Sequence, residues 1–103
     1  MHNLIIERKD LISELCKKFN VSKLEVFGSA ARSEDFVPGR SDIDFAVEFF
    51  RPRKMGPLEE FFDFQSELSK VLGQEVDLIE LGAVKNPYVR KSIDKDRELV
   101  FAA

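Results

Sequence analysis

Apolar residues open the chain at helical spacing. Leu4, Leu11, Ile12, Leu15 and Phe19 stand three, four and seven positions apart with charged residues between them. That spacing predicts an amphipathic helix over residues 3–19 whose stripe faces a core. The period then shortens. Leu24, Val26 and Gly28 alternate with Glu25 and Phe27, which predicts a short strand running into a Gly28-Ser29 turn and a short helix. Residues 33–41, with Pro38-Gly39, read as a loop. In the strand that follows, Ile43, Phe45 and Val47 fall on one face and Asp42, Asp44, Ala46 and Glu48 on the other.

Residues 51–57 are a turn-rich connection, and Pro57 suits the first turn of a helix. Leu58, Phe61, Phe62, Phe64, Gln65, Leu68, Val71 and Leu72 give that helix a broad apolar surface, and Gly73 is placed to cap it. Residues 75–81 predict a third strand. After Gly82, residues 86–99 predict a last helix with Asn86 as cap and Pro87 at its first position, and residues 99–102 add a short closing strand. The order predicts an α/β (α+β) fold: a small mixed sheet of three to four strands flanked by helices, in a single domain over residues 1–103.

Charge narrows the possible roles. A formal net charge of −3 and a pI near 5.2 describe an acidic protein, so direct nucleic-acid binding through a basic surface is not expected. Glu7, Arg8, Lys9 and Asp10 interrupt the opening apolar residues, which excludes a signal h-region or a membrane span there. With one cysteine, Cys16, the chain forms no internal disulfide and no cysteine-based zinc site, and a reducing cytoplasm is the simplest setting. Cys16 lies beside the helical stripe and reads as a small buried residue rather than a reactive thiol. His2 sits at a terminus expected to fray, and no catalytic role is assigned to it.

The chemistry concentrates in acidic residues. Asp42 and Asp44, at i and i+2 of a strand, project to one face roughly 6–7 Å apart. Two carboxylates so placed repel unless a cation lies between them, and magnesium takes such oxygen ligands together with substrate phosphates. Taken alone, the pair reads more readily as a solvated strand face, since charged residues are usually at the surface. Asp77 sits in Val76-Asp77-Leu78-Ile79, a run that reads as buried and in which a carboxylate is costly unless paired or metal-bound; the other reading is a strand-edge aspartate facing water. Two acidic strands side by side would bring three carboxylates together, as a two-metal phosphoryl-transfer site requires. Gly28 lets the backbone approach a phosphate, and the Ser29 hydroxyl and nearby amides can donate to it. Arg51, Arg53 and Lys54 read as a solvated basic turn or as phosphate contacts.

The stretches 26–32 (VFGSAAR), 41–47 (SDIDFAV) and 76–79 (VDLI) together resemble the minimal nucleotidyltransferases of the DNA polymerase beta superfamily, over nearly the whole chain. The tail, residues 85–101, is similar to that of the same small proteins, including MntA-like antitoxins paired with HEPN toxins. The resemblance implies that Gly28, Ser29, Arg32 and Ser41 contact ATP, and that Asp42, Asp44 and Asp77 ligate Mg2+, two ions in all. It also implies that Asp77 helps deprotonate the acceptor hydroxyl. The chain departs from the family's pattern in the long loop over residues 30–41 and in Ser33, where a glycine is common.

Two functions follow. The first is a type VII antitoxin that moves AMP from ATP to a hydroxyl, by the resemblance a tyrosine, of a partner HEPN toxin. The alternative is a catalytically vestigial antitoxin that neutralises its toxin by binding alone, using Phe49, Phe50 and Tyr88 as interface aromatics. Three clustered carboxylates favour the enzyme.

Overall fold

The apolar pattern of residues 3–19 forms two helices rather than one. In the computed structural model, which describes residues 1–32, 36–51 and 56–103, α1 spans Asn3–Glu7 and α2 spans Lys9–Lys18. At Arg8 (φ −102°, ψ 10°) the amide folds back on the Ile5 carbonyl at 3.2 Å, a tighter closure than the α-helical one. The buried stripe runs through Ile5, Ile12, Cys16 and Phe19, while Leu11, expected inside, is 51% exposed. The start of the chain is also tied rather than frayed. His2 Nδ1 accepts the Leu4 amide at 3.1 Å, and the His2 amide donates to the Ala30 carbonyl at 2.8 Å.

Cys16 is fully buried, as its position beside the stripe suggests, and burial pushes its thiol up to about 12. The thiolate is the reactive form. Native protein at pH 8 is therefore expected to leave Cys16 unlabelled by iodoacetamide over hours and to label fully in denaturant. Rapid labelling of folded protein, read by mass, would contradict this burial.

Four strands form one sheet in the order β3-β2-β1-β4: β1 (Val21–Phe27), β2 (Ile43–Phe49), β3 (Val76–Glu80) and β4 (Glu98–Ala102). β1 is antiparallel to both β2 and β4, whereas β3 is parallel to β2. Parallel neighbours need a crossover, and the intervening helix α4 (Pro57–Leu72) supplies it. Gly73 closes α4 at φ +69°, the left-handed cap its sequence position predicts. The apolar face of α4 is narrower than expected: Phe64, Leu68 and Leu72 are buried, but Leu58 and Phe62 are exposed. Phe49 packs edge-on to Phe64 within the core, so of the three aromatics expected at the surface only Phe50 and Tyr88 are there.

Asn86 caps the last helix, α5 (Pro87–Asp96), accepting the amides of Tyr88 and Val89 at 2.9 and 3.4 Å. α5 ends earlier than the expected residue 99, because Arg97 is already extended and Glu98 begins β4 on the free edge of β1. One sheet face carries the main core, with Leu24, Val26, Phe45 and Val47 against α2 and α4. The other carries a smaller cluster in which Ala46 meets Leu81 and Ile93, with Phe27, Ile79 and Val84 alongside. Ser33, Arg53 and Lys54, singled out in the sequence, lie outside the described residues. Among the described residues no helix is long and apolar enough to cross a membrane.

Candidate functional site

The sheet brings three sequence segments to one end of its second face. β1 runs towards that end and finishes at Phe27, whereas β2 and β3 both begin there. Asp44 is the register partner of Phe27 on one side and of Asp77 on the other. The side-by-side acidic strands expected from the sequence are therefore present, with the two aspartates directly paired. Asp42 precedes the first residue of β2 and is exposed.

Burial falls on a different carboxylate from the one the sequence suggests. β3 is an edge strand, so its residues alternate: Val76 and Leu78 are buried, whereas Asp77 is exposed. Asp44 is half-buried on an inner strand. Its carboxyl is held up at about 6, first by burial, then by the charges of Asp77 and Asp42, and by a side-chain hydrogen bond with Asp77. Two carboxyl groups can share a hydrogen bond only with a proton between them. This corner of the molecule therefore favours added positive charge.

Gly28 stands against the same group. Its φ is +72°, and a Cβ placed on it would lie 2.6 Å from Asp44 Oδ2. Glycine meets both the positive φ and the close approach. The short helix α3 (Ser29–Arg32) starts directly after it, with Ala30 and Ala31 buried. The Gly28 carbonyl accepts the amides of Ala31 and Arg32 at 3.1 and 3.2 Å. The amides of Ser29 and Ala30 come before any acceptor inside the helical turn. The result is a turn of donors beside a pair of carboxylates.

Residues 8–100 match the nucleotidyltransferase domain family. The chain belongs to that family. This nucleotidyltransferase is 41% identical over 96 residues to a candidate protein adenylyltransferase of Methanocaldococcus jannaschii, covering 89% of this chain and 93% of the relative. Its fold is similar to the solved structure of a candidate minimal nucleotidyltransferase, with a TM-score of 0.75, 25% identity and 95% of each chain covered. It is also similar in fold to a chain from the complex of tri-AMPylated Shewanella oneidensis HEPN toxin with an MNT antitoxin. That match has a TM-score of 0.66 at 16% identity, over 96% of this chain and 73% of the other.

In this nucleotidyltransferase the remaining sequence-predicted residues are engaged locally. Arg32 Nη1 donates to Asp96 Oδ2 at 2.6 Å, joining the end of α3 to the end of α5. Ser41 Oγ accepts the Val37 amide at 3.1 Å, and its carbonyl accepts Gln74 Nε2 at 2.8 Å. These contacts fix the loop that delivers Asp42 to β2. Arg51 follows the opposite end of β2 and pairs with Glu80 at 3.1 Å. Its guanidinium is held at Glu80, three residues or about 10 Å along β3 from Asp77, and pairs there rather than with the site's carboxylates.

Phe27, Gln74 and Asp96 also shape the site, and sequence reasoning missed them. Phe27 could have been found as the last residue before the Gly-Ser turn. Asp96 and Gln74 had no local signal, since they reach Arg32 and Ser41 across 64 and 33 positions. The donor set of Asp42, Asp44 and Asp77 is all carboxylate, which suits a hard cation such as Mg2+. Among the described residues, however, no group of three histidine, cysteine, aspartate or glutamate side chains is gathered closely enough to hold a metal alone. A cation held here would need oxygen ligands from elsewhere, and substrate phosphates are the usual source.

Proposed function

We propose that this nucleotidyltransferase moves AMP from ATP to a hydroxyl, that of a tyrosine, on a HEPN-type toxin, and so acts as an antitoxin in a single domain spanning residues 1–103. One observation carries the reading: Asp44 is paired in register with Asp77 and touches the position where Gly28 opens the turn. A pure binding protein has no physical need for this arrangement, which costs charge repulsion. The toxin as acceptor is suggested by the AMPylated HEPN toxin in the complex that contains the structural neighbour. Nucleotide chemistry itself follows from the family.

In this reading the Gly28-Ser29 turn donates hydrogen bonds to the triphosphate, and Arg32 and Ser41 join it by exchanging their contacts with Asp96 and Val37. Asp42, Asp44 and Asp77 would hold two Mg2+ ions together with phosphate oxygens. Bound there, the ions would neutralise the triphosphate and stabilise charge on the attacking and leaving oxygens. The acceptor oxygen forms a bond to the α-phosphorus as the bond from that phosphorus to the bridging oxygen breaks. Pyrophosphate leaves with the electron pair, and Asp77 takes the hydroxyl proton. The protein's main contribution is to position two charged reactants in line.

The test combines the protein with labelled ATP, Mg2+ and the toxin encoded beside it. The toxin is expected to gain one or more AMP masses and lose activity. A double Asp42→Ala, Asp44→Ala variant is expected to transfer nothing. If that variant neutralises the toxin as well as the parent does, with no added mass in either case, the protein acts by binding alone.

A further inference from the structure

We propose that the cleft between the end of β1, β3 and α5 seats the base of the nucleoside triphosphate, with Tyr88 as its stacking face. The proposal deepens the nucleotidyl-transfer reading and rests on it. The cleft has a volume of about 360 Å3 and is lined by Phe27, Ile79, Tyr88, Val89, Ser92 and Ile93. That size lies at the small end of ligand pockets, which suits a flat ring system rather than a whole nucleotide.

Its position follows from the strand register. Phe27 is the partner of Asp44, and Ile79 lies on the same face two residues beyond Asp77, about 7 Å along the strand. Phe27 also directly precedes Gly28. The wall of the cleft and the phosphate turn are thus consecutive residues, and one ligand can span both.

The lining chemistry selects the base end of that ligand. None of the six lining side chains is charged, so nothing there would hold phosphate. Phe27 and Ile93 belong to the small apolar cluster on this face, whereas Tyr88 is 83% exposed at the first turn of α5. A large aromatic left in water beside an apolar cleft gains contact area when a heteroaromatic ring covers it. The Ser92 hydroxyl supplies a polar contact that can donate or accept, so either kind of ring edge can be met.

Calorimetric titration with ATP and, separately, inorganic tripolyphosphate, both with Mg2+, tests the proposal on the wild type, Tyr88→Ala and Tyr88→Phe. Tyr88 is exposed, so its truncation leaves the core intact. Wild type is expected to bind ATP more tightly than tripolyphosphate. Tyr88→Ala is expected to weaken ATP about five- to a hundred-fold, within the range for losing one aromatic base stack. It should leave tripolyphosphate unchanged, and Tyr88→Phe should retain wild-type affinity for both.

Equal affinity of wild type for ATP and tripolyphosphate would overturn the base site while leaving the triphosphate site standing. So would unchanged ATP binding by Tyr88→Ala with impaired transfer to the toxin, which would assign the cleft to the acceptor protein. Binding of neither ligand by the wild type would remove both the base site and the nucleotidyl-transfer reading.

Discussion

Replacing Asp44 with Asn is expected to make the protein more stable at pH 7.5 and to abolish nucleotide transfer. The folded protein holds the Asp44 carboxyl at about 6 against an ordinary 3.8, so its folded-state value is raised. A group raised in this way contributes stability in full below the unfolded value and loses that contribution as pH climbs through the folded one. In the metal-free protein, Asp44 therefore favours folding at pH 4 and ceases to do so above pH 6–7. A shift of about two units corresponds to at most about 3 kcal/mol. Asp44 is only half-buried, so screening by water reduces this to about 1 kcal/mol.

Asparagine keeps the shape of the side chain and removes the charge that Asp77 and Asp42 oppose. A gain of about 1 kcal/mol raises the melting temperature of a chain of this size by about 4–8 °C. The same substitution should flatten the wild-type decline in melting temperature between pH 5 and pH 7.5. Transfer should fall at least a hundredfold, the scale at which single electrostatic contributions to catalysis are lost. Melting curves across pH, run beside the transfer assay, check both halves. A variant that melts lower than wild type at pH 7.5, or that keeps transfer within tenfold, would contradict the assigned role of this carboxylate.

That burial falls on Asp44 rather than Asp77 shows where sequence and structure diverge. Period-two alternation in residues 42–48 is visible in the chain, and it puts Asp44 on the face opposite Phe45 and Val47, as found. Gly73 and Asn86 were equally legible, because caps are local and their chemistry does not depend on distant residues. Which strand lies at an edge depends on the order of the whole sheet. Val76-Asp77-Leu78-Ile79 looks continuously apolar around its aspartate, yet β3 is an edge strand and Asp77 faces outward. Of the two readings of Asp77, the structure shows the strand-edge one, and the cost of burial falls on Asp44 instead.

Leu11 illustrates the same limit in a helix. Its spacing fits the stripe, but the closure at Arg8 and the ties from His2 to Leu4 and Ala30 turn α2 so that Ile12 and Cys16 face inward. Arg32 and Asp96 meet only after α5 has crossed back over β1, and nothing near either residue announces the pair.

Gly28→Ala is expected to damage function far more than stability, and the reason can be isolated. At φ +72° an alanine costs about 1–2 kcal/mol for its left-handed backbone. Its Cβ would also lie 2.6 Å from Asp44 Oδ2, a contact that must be relieved. The nearby atom is the end of a side chain, so Asp44 can rotate and the fold survives with a melting temperature about 5–10 °C lower. The rotation removes the carboxylate from its place beside Asp77, and the added methyl fills the approach to the turn. Transfer is expected to fall about a hundredfold or more. Comparing Gly28→Ala in the wild type and in an Asp44→Ala background separates the two costs. Without the carboxylate the collision is gone and only the backbone penalty remains, so the glycine substitution should cost about 1 kcal/mol less there. Equal costs in both backgrounds would mean that Gly28 is required for its dihedral angle alone, and that the close approach of turn and carboxylate does not govern the site.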